Sequence, residues 1–254
     1  MASTYDFAIH SGPGLEDLDE LGRSLLMGTG LVPGTFRKLA CFWGPFDQFI
    51  FLDADIIVTV EVDRLIATLD QRECDFAFAH PTAWDSVYTS APLQAEVRAG
   101  GYQSGINTGA WASRRGLFSL DLFRRLGTEI LPRRQELVLD GEQSFVNWSL
   151  YRQSVKVDTF SSVMEGGGFL WAGDTFPLRI ALSEGRPILQ GKSGDPAFLV
   201  HWAGFGLGAG MPYRDLWRKY QWPSTKKSAR LARGLDHVSA FVARAGRRLR
   251  SSAT

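Results

Sequence analysis

Short apolar runs alternate along the chain with turn-forming polar clusters, and the spacing within the runs switches between helical and extended. Tyr5–Ile9 predicts a short strand, closed by a turn over His10-Ser11-Gly12-Pro13-Gly14. Leu15, Leu18, Leu21, Leu25 and Leu26 recur every three or four residues, which predicts a helix that dissolves near Gly28-Thr29-Gly30. A second helix is predicted over Phe36–Trp43, with Thr35 as N-cap and Gly44-Pro45 as its stop. Next, Phe49-Ile50-Phe51-Leu52 ends abruptly in Asp53-Ala54-Asp55, and a second apolar run begins at Ile56. A continuous apolar run of this length suits a strand buried on both faces, as in a parallel sheet.

Further helices are predicted over Val62–Leu69, Leu117–Ile130 and Gly141–Tyr151, the last with Asp140 as N-cap. Strands are predicted over Asp75–Ala79, Ile106–Ser113, Val155–Phe160 and Ala197–Trp202. Residues 81–104 read as a long irregular loop, and Gly166-Gly167-Gly168 as another loop. Helices over Tyr213–Tyr220 and Ser228–Leu249 close the chain. The alternation of strands and helices predicts one α/β domain over residues 1–224, followed by a basic helical tail over 225–254.

The 254 residues carry a net charge of +1, which argues against a nucleic-acid binder. Two cysteines, Cys41 and Cys74, lie in apolar contexts without a metal or disulfide motif. No signal-peptide pattern and no apolar run of membrane-spanning length occurs, so a cytoplasmic protein is expected. The tail from Lys226 to Arg250 is dense in Lys and Arg with Asp236 as its single acid, over a partial helical apolar stripe. It reads either as a solvated basic tail or as a peripheral contact with an anionic membrane at the inner face.

Chemistry-bearing residues gather where regular elements begin or end. Asp53 and Asp55 follow the apolar strand, and residues i and i+2 of an extended segment point the same way. Asn107-Thr108-Gly109 opens a strand, Asp140-Gly141-Glu142-Gln143 opens a helix with Asn147 a turn later, and His201 ends the last strand. Two carboxylates and an imidazole, with coordination positions to spare, make a divalent-metal site that leaves room for substrate oxygens.

In their order along the chain these motifs resemble the GT-A glycosyltransferases, in particular the glycogenin-like, family 8 type. The resemblance runs from about Thr35 to Gly204 through the helix at 36–43, the Asp53-Ala54-Asp55 motif, Asn107-Thr108-Gly109, Glu142-Gln143 with Asn147, and His201-Trp202-Ala203-Gly204. It implies a Rossmann-like mixed sheet with flanking helices and a Mn²⁺ or Mg²⁺ ion held by Asp53, Asp55 and His201. It further implies transfer of a sugar from a nucleotide-sugar donor, a UDP-sugar, to a glycan, lipid or protein acceptor with retention. Lys38, Asn107 and Thr108 are implied at the donor or acceptor, Gln143 beside the anomeric carbon, and Glu142 or Asp140 at sugar hydroxyls. For Trp171 and Trp202 core packing is expected over sugar stacking.

The family's late motif runs on to a lysine, but here Gly204 is followed by Phe205-Gly206-Leu207-Gly208-Ala209-Gly210. Arg214, Lys192 or backbone amides of the glycine stretch are the expected substitutes. The segment before Asp47 holds only one βαβ unit of roughly 30 residues, so the expected domain is N-terminally shortened, without the usual base-binding first strand. A nucleotide-sugar-binding domain without turnover is the alternative. A phosphatase of the haloacid dehalogenase type fits less well, because Ile57 stands where that motif needs Thr or Val and no later Asp-Asp follows.

Overall fold

The computed structural model describes residues 14–164, 168–173, 179–183, 186–190, 196–205 and 210–221. The strand expected at Tyr5–Ile9, Gly166-Gly167, Lys192, most of the glycine stretch after Phe205, and the basic tail lie outside the described residues. The described chain is mixed α/β and divides into two compact units, residues 14–52 with 62–163, and residues 53–61 with 164–221.

The first unit opens with α1 (Leu15–Leu25), whose buried Leu18, Gly22 and Leu25 fall on one helical face. Gly22 is required there, since a Cβ would stand 2.8 Å from the Pro33 carbonyl oxygen. The α-helix expected at Phe36–Trp43 is instead a run of 3₁₀ turns over Pro33–Trp43, with Val32 at the cap position and Thr35 inside. Phe36, Leu39 and Phe42 are all buried. Their spacing of three lines up one face of a helix with three residues per turn, which an α-helix would splay. Pro33 at the first turn presets the backbone for either form.

The strand β1 (Gln48–Leu52) leads into the Asp-x-Asp segment. The chain then passes into the second unit for β2 (Ile56–Val58) and resumes the first with α2 (Val62–Ile66) and α3 (Thr68–Gln71). Next come β3 (Phe76–Phe78), β4 (Pro81–Thr82), α4 (Ala91–Ala99), β5 (Gly105–Ile106) and β6 (Ala110–Arg114). The unit ends with α5 (Leu120–Ile130), α6 (Gln143–Arg152) and β7 (Val157–Thr159). Its main sheet runs β1-β6-β3-β7, with β3 and β7 parallel and the other pairs antiparallel.

β1 is therefore not the doubly buried parallel strand expected. It is an edge strand of the described sheet, antiparallel to β6, and only Phe49 in it is buried. β6 is interior to the sheet, and its Trp111 stacks on Phe42, Phe51 and Phe76 at centroid distances of 4.9, 5.5 and 5.0 Å. An apolar run reports that rings are covered, not by which element, and here Trp111 covers one side of β1.

Residues 81–104 contain α4 where an irregular loop was expected. Ser90 caps it by accepting from the Leu93 amide at 3.4 Å, and Leu93 and Val97 are buried one turn apart. In the second unit, β2 joins β8 (Gly168–Trp171), β9 (Arg179–Ser183), β10 (Arg186–Gln190) and β11 (Pro196–His201), beside α7 (Arg214–Gln221). One sheet face carries Ile57, Leu170 and Val200 into a core with Trp202 and Leu216. No helix among the described residues is long and apolar enough to cross a membrane.

Candidate functional site

Two polar clusters stand out, one in each unit. In the second unit β2 pairs antiparallel with β11, placing Ile56 directly opposite His201. The Ile56 amide donates to the Asp53 carbonyl oxygen at 3.1 Å, closing a tight turn, and the Trp202 amide donates to the Asp55 carbonyl oxygen at 3.0 Å. These backbone bonds bring both aspartates to the end of β11. His201 Nε2 lies 3.2 Å from Asp55 Oδ1 and 3.8 Å from Asp53 Oδ2. The Phe169 ring stands edge-on to the imidazole at 6.0 Å.

One donor atom from each of Asp53, Asp55 and His201 falls within 4.8 Å of the others, close enough to hold a metal ion. In an octahedron with bonds of about 2.1 Å, adjacent ligand atoms stand about 3 Å apart, near the 3.2 Å between His201 Nε2 and Asp55 Oδ1 and somewhat short of the 3.8 Å to Asp53 Oδ2. Three protein donors leave further coordination positions for other oxygens. His201 is buried while the carboxylates are half-buried, so a ligand approaches from the aspartate side.

The first unit holds the second cluster. Lys38 Nζ lies 2.8 Å from Glu142 Oε1. The Thr108 hydroxyl donates to the same Glu142 oxygen at 2.7 Å, and the Thr108 amide donates to Gln143 Oε1 at 3.3 Å. The Lys38 ammonium also donates to the Thr108 carbonyl at 3.5 Å and sits over the Phe51 ring, 5.0 Å from its centroid. The Asn107 side-chain oxygen accepts from the Gly109 amide at 3.0 Å, the Asx turn that shapes this corner.

Asn147 holds the corner to α6. Its side chain accepts from the Ile106 amide at 2.8 Å and donates to the Ile106 carbonyl at 2.9 Å, pairing with that residue as a neighbouring strand would. The sequence pattern had associated Asn107, Thr108, Glu142, Gln143 and Lys38, and the structure gathers Lys38, Thr108, Glu142 and Gln143 by direct bonds.

Asp140 differs from expectation. It does not cap α6, which begins at Gln143 with Glu142 at the cap position and no side-chain cap bond. The intervening Gly141-Glu142 turn displaces Asp140, and the Glu142 carboxylate is taken by Lys38 and Thr108 instead. Although Asp140 is exposed, the protein around its carboxyl and the nearby Glu142 charge push its pKa upward. Trp202 is in the core as expected, its indole N–H donating to the Pro212 carbonyl at 2.7 Å. Trp171 is not, being 42% exposed. Arg214 opens α7, and Lys192 is outside the described residues.

Sequence reasoning did not identify Phe51 beneath Lys38, Phe169 beside His201, or the Ser86 carbonyl that accepts from Gln143 at 3.4 Å. The two phenylalanines carried a signal only as members of apolar runs, and the Ser86 contact is a backbone atom with no sequence signature. No protein-family model matches the chain, and no curated protein is significantly similar to it. The chemical reading therefore rests on these residues.

Proposed function

We propose that the chain is a metal-dependent glycosyltransferase of the GT-A type, moving a sugar from a nucleotide-sugar, a UDP-sugar, to an acceptor with retention. The observation that carries this reading is the Asp53–Asp55–His201 cluster, in which a histidine far along the chain meets the Asp-x-Asp pair. Bound there, Mn²⁺ or Mg²⁺ supplies Lewis-acid neutralisation of the donor diphosphate as its bond to the sugar breaks.

The chain's own residues divide the remaining work. Asp53 and Asp55 present carboxylate oxygens on a turn fixed by the Ile56 and Trp202 amides, so little reorganisation is needed on binding. His201 supplies the nitrogen donor, and its burial between strands holds the imidazole in place. In the first unit, Gln143 is assigned to the anomeric centre and Glu142 to the sugar hydroxyls, with Asp140 a secondary hydroxyl partner. The Lys38 and Thr108 bonds fix the Glu142 carboxylate before any ligand arrives, which lowers the entropy lost on orienting a sugar. Asn107 and Thr108, at the corner held by Asn147, are assigned to donor or acceptor hydroxyls.

The experiment is UDP release from a panel of UDP-sugars with Mn²⁺, comparing the wild type with Asp55→Ala. Release from one donor that falls to background in the variant supports the reading. Equal release in both, or neither release nor metal-dependent binding of any donor, contradicts it. Metal-dependent binding without release identifies a nucleotide-sugar-binding domain without turnover.

A further inference from the structure

Among the described residues, Trp171 is one of the few large apolar side chains left open to solvent. It lies on β8 directly opposite His201 in a parallel pair, so the two side chains stand on the same sheet face, on strands about 4.8 Å apart. Phe169, two residues earlier, shares that face and meets the imidazole, whereas Leu170 between them points into the core on the other face.

Three contacts fix the indole. Its N–H donates to the Ala203 carbonyl at 3.0 Å, the Phe205 ring lies 5.8 Å away, and its six-membered ring passes over Gly173. A Cβ at Gly173 would stand 2.4 to 2.6 Å from three atoms of that ring, so only glycine lets the indole lie there. A flat aromatic surface that is exposed, immobilised and beside a cation site costs little entropy when a ring settles on it.

We propose that Trp171 is a stacking platform for a ring carried on the phosphate held at the Asp53–Asp55–His201 cluster, an inference that rests on the cation–phosphate part of the function proposed above. Both rings of a nucleotide-sugar offer the needed chemistry, the nucleobase through its π-face and the pyranose through its apolar C–H face.

The test is calorimetric titration, with Mn²⁺ present, of pyrophosphate, UDP and glucose 1-phosphate into the wild type, Trp171→Leu, Trp171→Phe and Gly173→Ala. Stacking on one aromatic residue corresponds to an affinity change of about ten-fold or more. Trp171→Leu and Gly173→Ala are expected to weaken a ring-bearing ligand by about that factor and leave pyrophosphate within about two-fold, whereas Trp171→Phe keeps most of the wild-type affinity. Loss confined to UDP identifies the base as the occupant; loss confined to glucose 1-phosphate identifies the sugar. If pyrophosphate binds and neither ring-bearing ligand responds to Trp171→Leu, or all three weaken equally, the platform is overturned while the cation site stands. If pyrophosphate fails to bind the wild type, the cation–phosphate reading falls and the platform falls with it.

Discussion

The Lys38 ammonium and the Glu142 carboxylate meet at 2.8 Å with their side chains only 14% and 6% exposed. Two charges so far out of water are tolerable as a pair and costly apart. Lys38→Met should therefore destabilise the chain by about 3 kcal/mol, because it strands a buried carboxylate that still accepts a hydrogen bond from the Thr108 hydroxyl but has lost its counter-charge. Glu142→Gln removes the opposite charge, and the double variant should be more stable than the sum of the single losses by at least about 1 kcal/mol. Urea denaturation of the four proteins gives the coupling. Strict additivity would mean that the pair is solvated.

Asn147 pairs with both backbone groups of Ile106. Asn147→Ala should cost about 2 to 3 kcal/mol, since it leaves a buried amide and carbonyl without their partner. Asn147→Asp keeps the acceptor for the Ile106 amide but turns a second oxygen towards the Ile106 carbonyl, so it should cost at least as much. Amide exchange at Ile106 should accelerate in both variants. Protection equal to wild type in Asn147→Ala would show that the side chain does not hold this corner.

Parts of each unit were legible in sequence, and the reasons differ by residue. Asp53, Asp55 and His201 were legible because each ends an apolar segment, and the structure brings them together. Helix α5 was legible from its apolar period, and Ser119 caps it by accepting from the Leu122 amide at 3.1 Å. Helix α4 was missed although Ser90 and Pro92 are start signals and Leu93 and Val97 stand one turn apart, because small and polar neighbours diluted the pattern. The outer position of β1 and the bond from Thr108 to Glu142 depend on long-range partners, which periodicity does not encode.

Two aspartates should give opposite pH signatures. Burial tends to raise the Asp158 pKa, but the hydrogen bond from Arg72 at 2.8 Å, with further help from the Thr159 amide, leaves it lowered from 3.8. Its contribution is thus present above pH 3.8 and lost as the pH falls through the lower folded value. Asp158→Asn should cost about 0.5 to 1 kcal/mol at neutral pH, with the gap closing in acid.

Asp140 has its folded pKa raised above 3.8, so the folded state holds that proton more tightly and ionisation costs stability as the pH rises through this window. Asp140→Asn should raise the melting temperature at neutral pH, and the advantage should disappear below pH 3.8. Melting curves from pH 3 to 7 check both signs, and the same sign for the two variants would contradict the assigned environments.

Among all these tests, Mn²⁺ binding followed by electron paramagnetic resonance bears most directly on the Asp53–Asp55–His201 cluster. The free-ion signal should disappear to the extent of one ion per chain in the wild type. Asp55→Ala and His201→Ala should each weaken binding by at least about ten-fold, with the fold intact by circular dichroism. Identical titrations for wild type and both variants, or no binding at all, would contradict the account.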